Sequence, residues 1–111
     1  MNTDADDRKQ RIARNETIFR EVNERIEEVS ADAPGKHVEF ICECGNAGCT
    51  AVIPLAPEEY EALRADPVLF GILPGHEISE VEVVVAENER FLTVRKLVEE
   101  QQIARETDPR S

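Results

Sequence analysis

All three cysteines of the chain lie within one eight-residue stretch, Cys42-Glu43-Cys44-Gly45-Asn46-Ala47-Gly48-Cys49. Thiolates crowded into so short a loop repel one another, and a borderline-soft divalent ion such as zinc removes the conflict by taking sulfur into a closed tetrahedral shell. On an extended segment, side chains two residues apart point to the same side, so Cys42 and Cys44 can reach one ion. Cys49 must then fold back toward them. Gly45 and Gly48 are expected to allow this by adopting positive φ and turning loop amides toward the sulfurs.

A fourth ligand has to come from elsewhere, and the chain has only two histidines, His37 and His76. His37 precedes Cys42 by five residues, roughly 16 Å of extended chain, and the odd offset turns its ring to the opposite face. His76 follows Pro74-Gly75, a turn signal that can swing a side chain back over the cysteine loop. The expected ligand set is therefore Cys42, Cys44, Cys49 and His76, holding one Zn2+ per chain. Three chemistries compete with it. The cysteines can be small buried hydrophobes, a redox or disulfide group, or, with a histidine, the ligands of an iron–sulfur cluster.

The positioning elements follow from pattern. Residues 6–31 read as one amphipathic helix in which Ile12, Ile18, Phe19, Val22, Ile26 and Val29 recur at helical spacing, with Pro34-Gly35 ending it. That apolar stripe is expected to pack on the protein's own sheet, the alternative being a docking or dimerisation helix. Arg8, Lys9, Arg11 and Arg14 near its start are suited to an acidic partner or to ordinary surface. His37 to Cys42 alternates as a strand, and residues 50–55 return beside it, which puts the cysteine loop at the tip of a hairpin. Pro54 implies an edge or an end for that second strand. Pro57 opens a short helix to about Ala65, with Glu58 and Glu59 in its first turn and Tyr60 and Leu63 on its apolar side. Residues 68–73 read as a short strand. Residues 81–86 and 91–94 read as a second hairpin, although Ser79 and Glu82 also fit a helix-starting capping box. From Lys96 a further helix through Ile103 is expected, then a disordered tail at Asp108-Pro109-Arg110-Ser111.

Composition narrows the function classes. With 111 residues and only five aromatics, the chain makes one modest core that a structural metal would reinforce. The organisation expected is a lead over 1–13, flexible or helical, a single metal-binding domain over 14–98 and a C-terminal helix or tail over 99–111. No stretch is apolar enough for a membrane helix, the first residues are acidic, and the cysteine number is odd, so a cytoplasmic protein is expected. Residues 37–89 carry eleven acids and one base, Arg64, and account for −10 of the formal charge of −11. Such a surface repels a phosphate backbone, which argues against nucleic acid and for a protein partner with a basic surface. No Gly-rich phosphate loop, serine nucleophile motif or HExxH helix is present.

Arg14-Asn15-Glu16, Phe19-Arg20-Glu21-Val22-Asn23-Glu24-Arg25-Ile26, Cys42-Glu43-Cys44-Gly45 with Cys49, Glu59-Tyr60-Glu61 and Pro74-Gly75-His76 together resemble a family of small uncharacterised bacterial proteins of high-GC Gram-positive type. The likeness spans about residues 14–96. It implies that the Cys-x-Cys…Cys…Pro-Gly-His set belongs together, and it transfers no activity. The spacing of Cys42 and Cys44 is also similar to one feature of the CDGSH iron–sulfur proteins, whose remaining motif is missing here. The expected fold is α+β: a long N-terminal helix, a zinc-pinned β-hairpin, a short helix and a small, mainly antiparallel sheet. The expected function is a protein-interaction or regulatory module with a structural, zinc finger-like site, the alternative being a metal- or thiol-dependent enzyme.

Overall fold

In the computed structural model, residues 3–30, 36–46 and 48–110 are described. The element order is α1 (Thr3–Val29), β1 (Val38–Ile41), β2 (Val52–Leu55), α2 (Pro57–Arg64), β3 (Leu69–Ile72), β4 (Glu82–Glu87), β5 (Leu92–Lys96) and α3 (Val98–Glu106). This is the α+β architecture expected: a long helix, an antiparallel hairpin, a short helix and a small antiparallel sheet. The proposed stop at Pro34-Gly35 lies outside the described residues.

The hairpin β1–β2 pairs Val38 with Leu55 and Phe40 with Ile53. Pro54 sits in a two-stranded sheet, where every strand is an edge and its missing N–H leaves no central ladder broken. The second sheet has the order β3-β5-β4, all antiparallel, with a bulge in β4 between Val84 and Ala86. Its hairpin turn is held by Asn88, whose Oδ1 accepts from the amides of Arg90 (2.8 Å) and Phe91 (2.9 Å). The strand reading of this stretch therefore prevails over the helical one. Glu82 starts no helix; its carboxylate accepts from the Ile78 amide (3.0 Å) and from Lys96 Nζ (2.8 Å).

Two apolar clusters form the core. One joins Phe40, Ile53, Leu55, Tyr60, Leu63 and Phe91 beneath the hairpin and α2, with Phe40 and Tyr60 stacked at 4.6 Å. The other contains Val68, Phe70, Ile72, Leu92, Val94 and Ala104 from the second sheet and α3, and it includes Cys42 and Cys44. Pro57 opens α2, whose Glu59 accepts from the Ala56 amide at 2.8 Å and also pairs with Arg90. That salt bridge holds the Glu59 carboxyl down to about 2.

Helix α1 departs from its expected orientation. Ile12 is buried and Ile26 packs against the core as predicted, but Ile18 is 56% exposed, Val29 is 82% exposed and Val22 also reaches solvent. The face turned inward carries Glu16, Arg20 and Asn23, all buried. Each has a partner remote in sequence, which offsets its burial, although the Nε of Arg20 itself makes no hydrogen bond. The Arg20 guanidinium donates to the carbonyls of Pro67 (2.8 Å) and Leu69 and lies 3.5 Å from the centre of the Phe70 ring. Glu16 and Glu82 share the ammonium of Lys96.

The tail is a second correction. Asp108 pairs with buried Arg64, and the guanidinium of Arg110 reaches Glu24, Glu27 and Glu61, so these two residues are fastened across α1 and α2 instead of disordered, while Ser111 lies outside the described residues. A single cation satisfying three carboxylates relieves the repulsion that crowding them creates.

Candidate metal centre

The segment after β1 joins the two sheets. On one side the Cys42 amide continues the hairpin ladder to Ala51 O (3.1 Å), and on the other the Glu43 amide donates to Gly71 O in β3 (2.8 Å). Alternation along this extended run sends the Cys42 and Cys44 sulfurs one way and Glu43 the other. Glu43 is fully buried and acts as the anchor. Its Oε2 accepts from Tyr60 OH and Asn23 Nδ2, both at 3.0 Å, and its Oε1 accepts from the Gly71 amide (3.2 Å) with Arg20 at 3.8 Å. Asn23 also brackets Ile41, accepting from its amide at 2.7 Å and donating to its carbonyl at 2.8 Å. Asn15 Nδ2 donates to Gly45 O at 2.8 Å.

His76 arrives by a turn in which its amide donates to Leu73 O (3.1 Å), with proline second and Gly75 third at φ +89°. Proline followed by a positive-φ glycine is the type II pattern, so the Pro-Gly signal is used as the sequence suggested. Gly45 and Gly48 are not: among the described residues Gly75 is the only glycine with positive φ. Gly45 has a different task. A Cβ there would collide with the Ile12 side chain, so glycine lets α1 lie directly against the cysteine loop.

The outcome is a compact donor set. One ligand atom from each of Cys42, Cys44, Cys49 and His76 lies within 4.8 Å of all the others. His76 Nδ1 is 3.6 Å from both Cys42 Sγ and Cys49 Sγ. A tetrahedral ion with bonds near 2.3 Å to sulfur and 2.0–2.1 Å to nitrogen would set neighbouring donors about 3.5–3.8 Å apart, which the two His76–sulfur separations match. The cluster can hold a metal ion. His37 is exposed and lies outside it, as its offset predicted. The cysteines form no disulfide.

Nearby amides favour negative sulfur, and burial opposes it. The Leu73 amide donates to Cys42 Sγ at 3.3 Å. Hydrogen bonding from Cys42 pulls the Cys44 thiol down to about 4, helped by the Asn46 amide and by His76. The same contact with Cys44, together with burial, pushes Cys42 up, and burial raises Cys49. Within the protein alone one sulfur thus carries the charge that its neighbours support, whereas a divalent cation would stabilise all three as thiolates.

Beside the cluster opens a cleft of about 930 Å³, bounded by the Gly45-Asn46 loop, Gly75-His76 and the outer side of α1 with Arg8, Arg11 and Arg14. The supporting residues Asn15, Arg20, Asn23 and Glu43 were not singled out from sequence as part of the site. For the helix residues a signal lies in the polar series Glu16, Arg20, Asn23 at helical spacing, running against the apolar stripe. Among family models, curated proteins and solved structures, none matches this chain. No helix among the described residues is long and apolar enough to cross a membrane.

Proposed function

We propose that the chain is a small cytoplasmic interaction module whose fold is completed by one structural zinc ion bound to Cys42, Cys44, Cys49 and His76. The observation that carries this reading is the convergence of the His76 ring on two sulfurs at 3.6 Å. Three thiolates with one imidazole suit zinc, and four protein donors leave no position for substrate, which is the pattern of structural sites. The Leu73 amide on Cys42 and the burial of Cys42 and Cys44 fit a site built to hold an ion and not to release it. An interaction role follows from what the small fold leaves outside: Ile18, Val22 and Val29 on α1 and Val83 and Val85 on β4 are exposed apolar side chains in a strongly charged chain.

Elemental analysis of protein purified without chelator should give about one zinc per chain. Cobalt substituted into the site should show the visible absorption of a tetrahedral thiolate centre. His76→Ala should lose most of the metal while His37→Ala keeps it. A metal-free protein, an iron chromophore, or equal retention by the two histidine variants would reject the assignment.

A further inference from the structure

The cleft beside the cysteine loop has a charge opposite to that of the molecule around it. In a chain with 24 acids and 13 lysines and arginines, most bases are held by carboxylates: Lys9 by Glu99 and Glu100, Arg64 by Glu24 and Asp108, Arg90 by Glu59, Arg95 by Asp66 and Arg110 by three acids. Arg8 reaches Glu80 at 3.0 Å, with both side chains about half exposed. Arg11 and Arg14 are exposed and pair with no carboxylate among the described residues. Arg14 has none available locally either, since the positions three and four residues away are Gln10, Arg11, Thr17 and Ile18.

Chain geometry continues this face along the helix. Arg8, Arg11, Asn15, Ile18 and Val22 follow one another at intervals of three or four residues, which places them on one stripe about 21 Å long. That stripe lies next to the buried face of Ile12, Glu16, Arg20 and Asn23 and not on it. The cleft is also lined by Cys44, Gly45, Asn46, Gly75 and His76, so its negative charge is the single sulfur of Cys44 against the arginines of the helix. A groove with the guanidinium groups of Arg11 and Arg14, unpaired among the described residues, toward one end and exposed Ile18 and Val22 toward the other presents donors for carboxylates and a surface for apolar side chains along one side of the helix.

We propose that this groove is a docking site for an acidic peptide segment of a partner protein, one that places carboxylates on Arg11 and Arg14 and aliphatic side chains on Ile18 and Val22. A small anion would use the arginines and leave the apolar stripe exposed. Nucleic acid carries a phosphate at every residue and would set charge against the aliphatic end of the groove, at Ile18 and Val22, as well as against the arginines. An acidic, amphipathic peptide uses the whole length, and local charge complementarity sets its register. The proposal rests on the reading of the chain as an interaction module, and it gives the chemistry of what one of its surfaces takes.

The test uses the full-length, metal-analysed protein and a fluorescein-labelled peptide of about 14 residues, a length matching the stripe, with glutamates toward one end and leucines toward the other. Anisotropy should report saturable binding that weakens with salt. Arg11→Glu combined with Arg14→Glu should reduce it at least about tenfold, and Ile18→Asp should reduce it independently. These positions are exposed, so circular dichroism and zinc content should not change. A peptide with lysine in place of glutamate should bind far more weakly. Equal affinity for the lysine peptide, indifference to the arginine substitutions, or preference for single-stranded DNA or inorganic phosphate at the same arginines would overturn the proposal. Because zinc content is measured on the same samples, a protein with full metal and no peptide binding defeats the docking site alone, whereas a metal-free protein defeats the zinc assignment.

Discussion

The cysteine cluster and the Glu16–Lys96–Glu82 cluster both bury charge, and they solve the problem differently. At the cysteines, groups that cannot coexist as anions converge on a point where a cation fits, and backbone amides help them. At Lys96, the cation belongs to the chain and two carboxylates share it, so the group carries one negative charge too many for a buried place. The first arrangement is completed by a ligand from solution; the second is completed by a proton. Burial, opposed by Lys96, raises the Glu16 carboxyl from 4.5 to about 8. One centre therefore ties the fold to metal supply and the other ties it to pH.

The largest effect separating the two should come from chelation. Apparent zinc-binding free energies of about 10–16 kcal/mol in small zinc domains are comparable to a domain's whole stability of about 5–15 kcal/mol. Hydrogen exchange after metal removal should lose protection at residues 38–55 and 70–78 first, while amides near Lys96 and Glu82 hold longer. Simultaneous loss everywhere would show that the two centres form one cooperative unit, and no loss would mean the metal is incidental to folding.

A smaller effect should follow from Glu43→Ala, which acts where the two centres meet on α1. It leaves buried Arg20 without its carboxylate, Tyr60 without an acceptor and Asn23 with only the Ile41 carbonyl, for a loss of about 3–5 kcal/mol in denaturant melts. Zinc competition with a chromogenic chelator should show affinity lowered by about 10–100-fold, since the anchor of the Cys-x-Cys run is gone. A change in stability with unaltered zinc affinity would mean that the loop keeps its shape without the anchor.

The mildest is a slope. Between about 4.5 and about 8 the folded protein holds the Glu16 proton that the unfolded chain has released, so stability should fall as pH rises through that window, by up to about 1.4 kcal/mol per unit. Glu16→Gln cannot ionise and should flatten the slope, most visibly in the middle of the window, where the folded and unfolded chains differ by nearly a whole proton. If urea melts of the variant keep the wild-type slope, the proton resides on another group.

The same contrast explains what the sequence discloses. Cysteine is rare and its spacing is informative, so Cys42, Cys44 and Cys49 announce a site, and Pro74-Gly75 announces the turn that brings His76 to it. The strands and α2 are legible from alternation, β-branched runs and Pro57. The inward face of α1 is not, because glutamate, arginine and asparagine are ordinary surface residues. Only remote partners, Glu43, the carbonyls of Pro67 and Leu69, and Lys96, make their burial favourable. Apolar periodicity marks Ile12 correctly and misleads at Ile18, Val22 and Val29. The tail was read as disordered for the same reason: Arg110 finds its three carboxylates on α1 and α2, far back along the chain.

The polar inner face of α1 also matters to the growing polypeptide. Helix α1 is synthesised before every group that covers Glu16, Arg20 and Asn23, and Lys96 follows Glu16 by 80 positions. Until those segments emerge, the face awaiting burial is one that water solvates well, so the nascent helix offers chaperones and neighbouring chains less sticky surface than an aliphatic seam would. Docking must then wait for nearly the whole sequence, because contacts this distant are made only after long loops close.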